Sequence, residues 1–332
     1  MDFDLTESQQ AIARLAADVL GGSDPWKELA RSGLLALAVP ADLGGDGLGV
    51  LDTTVLLTEI GRRAAPVPAL ATLMTGVLPI ARWGDAALRR ALLPAAAAGE
   101  LILTAAIREP GDPLPADPAT VTDGGTVFGT KIGVPYAAEA GRILVSARQA
   151  GGGTGVVIID PAADGVTITR TPSATGDPEY TVRLDHAPVA HNLGAPDVQD
   201  LYRLAVAGAC CLADGALAGA LALTTGYIAT RRQFGRPLAE FQAVSQQIAD
   251  VYITSRTLHL AALCAAWRLD TGRDADDDLR VATWWVTEEA VKSVMTCHHL
   301  HGGIGVDVSY PLPRFSSLIR DVSRFLGGAS VH

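Results

Sequence analysis

ATRRQFGRPLAEFQAVSQQIAD, residues 229–250, sets two adjacent arginines, an amide, an aromatic ring and a glycine at a joint between two helical stretches. Before it, residues 201–231 form a long run of helical composition. After it, Phe241, Val244, Ile248, Val251 and Tyr252 repeat at helical spacing. A third helical stretch, residues 277–301, and a shorter final one supply the rest of a helical bundle. A fork of arginine donors at such a joint can grip a phosphate. Alternatively, Arg231 and Arg232 simply complement the dipole at the end of the preceding helix.

Upstream, between residues 103 and 188, the composition shifts to threonine, valine, glycine and proline. Short runs at 126–134, 143–147 and 156–159 read as strands. In the stretch 180–186, Tyr180, Val182 and Leu184 fall on one face while Thr181, Arg183 and Asp185 fall on the other, the pattern of a half-buried antiparallel sheet. A loop at 191–197 leads into the bundle. Residues 5–102 are alanine-rich and helical, with Ile12, Leu15, Val19, Leu20 and again Val55, Leu56, Ile60 at three-to-four spacing. The segment GLLALAVPADLGGDGLG, residues 33–49, reads as a helix end followed by a shaped loop. The expected architecture is α+β: an N-terminal helical domain over 1–102, a middle antiparallel β domain over 103–192, and a C-terminal four-helix bundle over 193–332. It lacks the alternating β-α-β order and the GxGxxG turn of a doubly wound nucleotide-binding sheet.

A length of 332 residues with 48% apolar content is enough for a sizeable core and two or three domains. The net charge of -10 argues against nucleic-acid or anionic-membrane partners, which select lysine and arginine excess. The first ten residues carry acids and glutamines where a secretory signal has a basic start and an apolar run, so a cytoplasmic location is expected. The apolar stretches 91–98 and 101–107 fall short of the roughly 20 residues that span a bilayer. The four cysteines, Cys210, Cys211, Cys264 and Cys297, form no CxxC pair and read as buried thiols. Cys297 and His301 lie one helical turn apart beside His298 and His299, but no second ligand group at metal spacing appears elsewhere. A packed helix end is expected there, with no metal.

Together these segments resemble the acyl-CoA dehydrogenase family, whose members carry R-x-[QT]-F-G-x-P-L-x-x-[FH]-Q at such a joint. The likeness covers nearly the whole chain. It includes LTESQQ from Leu5, LTEIGRRAAPVPAL at 57–70, GTKIGV at 129–134 and LHGGIGVDVSYPLPRFSSLIRD at 300–321. The resemblance implies FAD lying between subunits. It also implies that Arg231, Gln233, Phe234 and Gln242 touch the dinucleotide of a neighbouring subunit. The family's Q-x-x-G-G element falls on His299, Leu300, His301, Gly302 and Gly303. Its glycines permit close backbone approach to a cofactor, and histidine at the glutamine position still donates one hydrogen bond.

The departures from that pattern fall together. The family's catalytic glutamate sits in an E-G-T turn after an R-D pair. Arg320 and Asp321 are followed here by VSRFLGGASVH, with Gly327 where the carboxylate would stand. An alternative family location on the first bundle helix maps to about Ala205, and no acid lies between Leu201 and Ala213; Asp200 and Asp214 flank the gap on other faces. A base must reach its proton, so no catalytic residue is assigned to this chain. The family's tryptophan and threonine or serine at the flavin ring are replaced by Gly133 and Pro135. Its T-E-x-G-x-G-S-D loop is shortened to REPGDP, residues 108–113. The pattern is similar to the base-less subunit of actinobacterial heterotetrameric steroid acyl-CoA dehydrogenases. It implies α,β-dehydrogenation of an acyl-CoA thioester, of steroid side-chain type in cholesterol catabolism, in an α2β2 complex with a base-carrying paralogue and an electron-transfer flavoprotein-like acceptor. The competing readings are a homomeric acyl-CoA dehydrogenase with a relocated base, and a structural or regulatory partner without flavin.

Overall fold

A computed structural model describes residues 3–193 and 198–328. Its helices gather at the two ends of the chain and its strands in the middle. The N-terminal helices are α1 (Glu7–Val19), α2 (Pro25–Arg31), α3 (Val50–Arg62), α4 (Leu78–Trp83) and α5 (Ala86–Ala97), with a π-helical segment, Leu70–Val77, running into α4. Local chemistry sets their starts. Thr6 and Gln9 exchange side-chain bonds in a capping box on α1, and the Asp24 and Asp85 carboxylates cap α2 and α5.

The strands are β1 (Leu103–Ala106), β2 (Val121–Asp123), β3 (Thr126–Pro135), β4 (Arg142–Gln149), β5 (Thr154–Ile159), β6 (Val166–Thr171), β7 (Glu179–Pro188) and β8 (His191–Asn192). They make one sheet in the order β6-β7-β3-β2-β4-β5-β8, with β1 on β4. Most pairings are antiparallel, and Tyr180, Val182 and Leu184 of β7 are buried on one face as the alternation requires. Two pairings are parallel, β1 with β4 and β2 with β4. Such pairs need long crossovers, and residues 107–141 supply one for β1. Burial is also deeper than a half-buried sheet in β4 and β5. Ile143, Val145, Val157 and Ile159 join a core inside the β unit, while Leu144, Val156 and Ile158 face the helical core. Two buried faces explain their unbroken apolar runs. Part of the expected 191–197 loop is strand, since His191 and Asn192 pair with Ile158 and Val157; residues 194–197 lie outside the described residues.

The C-terminal helices are α6 (Val198–Thr230), α7 (Gln242–Asp270), α8 (Asp276–Trp284), α9 (Val291–His301) and α10 (Leu312–Phe325), with a π-helical segment, Trp285–Ala290, joining α8 to α9. The strand pair β9 (Arg232–Gln233) and β10 (Arg236–Pro237) links α6 to α7. α6 is long and apolar enough to cross a membrane, with a mean hydropathy of 1.8, a stretch longer than those singled out from the sequence. It is instead the central helix: 89% of that apolar window is buried inside the fold. Glycines let α3 cross it closely. A Cβ on Gly61 would run into the Leu212 carbonyl, and one on Gly215 into the Thr58 carbonyl.

Candidate functional site

The joint after α6 is a tight hairpin. Phe234 and Gly235 sit at its turn with φ of 50° and 82°, the left-handed pair that a two-residue hairpin demands. Glycine adopts this freely; phenylalanine does so at a cost. Phe234 is nevertheless 93% exposed, touching only the edge of Phe241 at 6.3 Å between ring centroids. A strained backbone that presents a bare aromatic ring to solvent is a mark of a contact surface. The two arginines divide their work. Arg232 donates to the Gly235 carbonyl at 2.7 Å and closes the hairpin, whereas Arg231 makes no ion pair or side-chain hydrogen bond to any described residue. Arg231 retains its place at the end of the α6 dipole, so that reading and an outward grip are compatible. Gln233 and Gln242 are exposed on either side of the turn.

The second cluster caps α9. Gly302 takes φ 63°, and neither it nor Gly303 would bring an added Cβ within 4 Å of another atom, so the turn's backbone is open. His299 is exposed beside it. Tyr227, in the last turn of α6, stacks on His301 at 4.5 Å and donates to the His301 carbonyl at 3.3 Å, while Tyr310 packs edge-on at 5.3 Å. Through this stack the joint and the glycine turn share one end of the bundle. Arg231, Gln233, Phe234, Gln242, His299, Gly302 and Gly303 all face outward there. An exposed arginine, amides and a bare glycine backbone suit a phosphate-bearing ligand. His301 itself turns inward: its Nδ1 lies 2.8 Å from the Cys297 carbonyl, and burial pushes its pKa down. Its ring thus meets the backbone of Cys297, and among the described residues no three His, Cys, Asp or Glu side chains converge on a common point.

The cleft between the sheet and the bundle carries features that the sequence reading missed. Arg108 opens the REPGDP loop and is nearly buried, donating to the Arg324 carbonyl at 2.9 Å. Arg324 grips Glu179 with two bonds of 2.7 Å and also donates to Asp321 at 3.1 Å. Asp321 further accepts from the Ala174 and Thr175 amides at 2.9 and 2.8 Å. Burial raises the Asp321 pKa, but these donors outweigh it and hold the carboxyl below its ordinary range. Behind them lies a largely apolar cavity of about 130 Å³, lined among others by Ile60, Leu70, Ala105, Leu212 and Phe325. Outside them an open cleft of about 580 Å³ is lined by Arg108, Arg320, Arg324 and Gly327. The loop is anchored by Glu109, which accepts from the Ala119 and Thr120 amides and from fully buried Lys131 at 2.8 Å. Burial pushes the Lys131 ammonium down to about 8 against the pull of Glu109.

Gly327 lines the open cleft, whose acids among the described residues are Glu109 and Asp112. Ala205 is buried; Asp200 pairs with Arg203 and Asp214 with His259, each at 2.8 Å. The acids lining the inner cavity are Asp177, Glu179 and Asp321, and the last two are held by Arg324.

Residues 6–100 match the family model described as "Acyl-CoA dehydrogenase, N-terminal domain", and residues 200–330 match "Acyl-CoA dehydrogenase, C-terminal domain". The chain belongs to the acyl-CoA dehydrogenase family. FAD is the cofactor of this family, and solved relatives of the same fold include an FAD complex of PigA. The chain is 47% identical to acyl-CoA dehydrogenase FadE28 of Mycobacterium tuberculosis, covering 99% of this chain and 96% of that one. It is 30% identical to FadE27 of the same organism over the same shares. Among solved structures, the ChsE4-ChsE5 complex from Mycobacterium tuberculosis superposes with a TM-score of 0.92 at 30% identity, covering 99% of this chain and 96% of that one. A Tcur3481-Tcur3483 steroid ACAD variant gives 0.89 at 35%, covering 98% and 95%.

Proposed function

We propose that this chain is the base-less subunit of a heteromeric acyl-CoA dehydrogenase that introduces an α,β double bond into an acyl-CoA thioester derived from a steroid side chain. One observation carries the reading: the seven residues that resemble the family's dinucleotide contacts face outward on one end of the bundle, while the chain's own interdomain cleft is walled by ion-paired side chains. A half-site turned outward serves a neighbour. Arg231, Gln233, Phe234, Gln242, His299 and the Gly302-Gly303 turn then hold the dinucleotide of FAD seated mainly in a base-carrying paralogue. FAD held there would supply the acceptor for the β-hydride, and the partner's carboxylate would take the α-proton. Support for a heteromer comes from the complexes of unlike chains among the relatives, and from the apolar side chains left bare on the bundle, such as Tyr252, Ile253, Val281 and Trp284.

The test is flavin content per subunit pair, measured on the chain co-expressed with a base-carrying paralogue and on the chain alone. Arg231→Ala removes one charge-assisted contact and is expected to weaken flavin retention by about 10- to 100-fold. Unchanged retention would instead favour a structural partner without flavin contacts. A flavin-loaded homotetramer that oxidises acyl-CoA unaided would overturn the subunit reading. Asp177 gives that homomeric alternative its one foothold: it lines the inner cavity, and burial, helped by the Asp321 charge, pushes its pKa up. Activity of the isolated chain that Asp177→Asn abolishes would establish it.

A further inference from the structure

We propose that Arg108 shuts a flavin ring out of this chain's own interdomain cleft, and that it does so by filling the space where such a ring would lie. The inference rests on the subunit reading above and adds to it the residue that empties the second seat. Gly133 and the loop at 108–113 stand where the resemblance puts ring contacts, and Arg108 lies between them. It is 8% exposed. A Cβ built on Gly133 would sit 2.5 Å from Arg108 Nη1 and 3.4 Å from its Cζ, at a backbone φ of 60° that disfavours any side chain. An aromatic residue at 133 would therefore have to displace the Arg108 guanidinium from its bond to the Arg324 carbonyl. Glycine at this position reads as the accommodation of the arginine rather than as drift.

The guanidinium is fixed from both ends. Glu109, the next residue, is tied to Lys131 and to the Ala119 and Thr120 amides, so the loop cannot swing out without breaking a buried ion pair. At the far end Nη2 donates to the Arg324 carbonyl at 2.9 Å, and Arg324 is clasped by Glu179 and Asp321. Together these groups make a wall. On its inner side are Gly133, Glu179 and Asp321, bounding a cavity of about 130 Å³. That is well under the roughly 300 Å³ at which small-molecule pockets begin. On its outer side Arg108 and Arg324 face the open cleft. Glu179 and Asp321 both pair with Arg324, whereas Arg108 makes no ion pair among the described residues, its buried Nε has no hydrogen-bond partner, and its tie to the wall is the bond to the Arg324 carbonyl. Position and volume thus make Arg108 a plug toward the inner side of the wall, while the outer side stays open as a cleft of about 580 Å³.

The test counts flavin in the complex with the base-carrying paralogue, reconstituted with excess FAD. Wild type is expected to hold one flavin per subunit pair; two per pair would overturn the proposal. Arg108→Thr restores the short hydroxyl residue of the family loop and should raise the count from one toward two. A count that stays at one in an Arg108→Thr complex of normal size and circular dichroism would equally overturn it. Arg108→Lys, whose Nζ reaches about as far as the arginine Cζ, keeps most of that volume and should stay at one, whereas a second flavin in that variant would refute exclusion by volume. The subunit reading fails separately, through an Arg231→Ala complex that retains its flavin.

Discussion

Lys131→Met should unsettle the cleft from beneath, and the structure sets its size. Lys131 is fully buried, with Nζ 2.8 Å from Glu109 Oε1 and 3.0 Å from Ser146 Oγ. Removing one member of a buried ion pair costs about 3–5 kcal/mol, because the other charge is stranded. Glu109 keeps its two amide donors, and methionine fills most of the lysine stem, so the lower end applies, about 3 kcal/mol. At roughly 2–4 °C per kcal/mol for a mid-sized domain, the melting temperature should fall by about 6–12 °C. Thermal unfolding at neutral pH measures it. Adding Glu109→Gln to Lys131→Met removes the stranded charge and should recover about half of the loss, if coupling between neighbours behaves as it does in double-mutant cycles. The lysine also leaves a pH signature. Its pKa is depressed from 10.5 to about 8, so between those values the unfolded chain holds more protons than the folded one. Stability from this group therefore rises with pH across that window, and Lys131→Met should lose the slope. A melting shift under about 2 °C, corresponding to less than about 1 kcal/mol, or a double variant no better than the single one, would refute the buried-pair account.

Three further outcomes follow from other parts of the chain. Gly215→Ala drives a methyl into the Thr58 carbonyl where α3 crosses α6, and should cost about 1–3 kcal/mol in urea unfolding; an unshifted midpoint would mean the helices are not so closely packed. His301→Phe keeps the stack with Tyr227 and Tyr310 but removes a group whose pKa burial depresses. Stability present above 6.5 is lost as pH falls through the lower folded value, and the variant should show a shallower acid slope in melting temperature between pH 7 and pH 5, with His298, also depressed, accounting for the remainder. Trp284→Asp places a charge among the bare apolar residues on α8 and should reduce recovery of the heteromer on size exclusion while leaving the chain's own circular dichroism unchanged.

Much of the fold is legible because its determinants are local. The alternation in β7, the helical stripe beginning at Phe241 and the punctuation at Gly235 each prescribe a backbone period that the structure adopts, with β7 paired to β3 and β6. Pairing direction and depth of burial are less so. Nothing within residues 103–106 says that they will run parallel to 142–145, because that choice is made by a crossover of some thirty-five residues. Tyr252, placed on the apolar stripe by spacing, proves 56% exposed, since the buried face runs through Val251, Ser255 and Leu258 and Tyr252 sits about 100° round the helix from Val251. At the candidate site the outward residues are legible because they lie in two short segments. The wall is not, because Arg108, Glu179, Asp321 and Arg324 come from three separate parts of the chain.

The same distinction bears on how an empty seat is recognised. Read position by position, Arg108 in REPGDP is a hydroxyl lost and Gly133 is an aromatic lost, two subtractions that ordinary drift would also produce. Placed side by side they become one addition, since a Cβ on Gly133 would lie 2.5 Å from Arg108 Nη1 and the guanidinium occupies what the missing side chain vacated. Drift predicts no such fit: it would leave a void, which costs packing energy. Arg324, clasped by Glu179 and Asp321 and accepting at its carbonyl from Arg108 through bonds of 2.7 to 3.1 Å, bridges the sheet to α10 and holds the two units together. Breaking that clasp at Arg324 should therefore loosen the sheet from α10 before either unfolds. Arg324→Met should speed amide exchange in β7 and α10 by about tenfold or more, the equivalent of about 1.4 kcal/mol of lost interdomain stability, while β4 and β5 exchange as before. Unaltered exchange in β7 and α10 would show that the wall is an ornament of the surface and carries no load between the units.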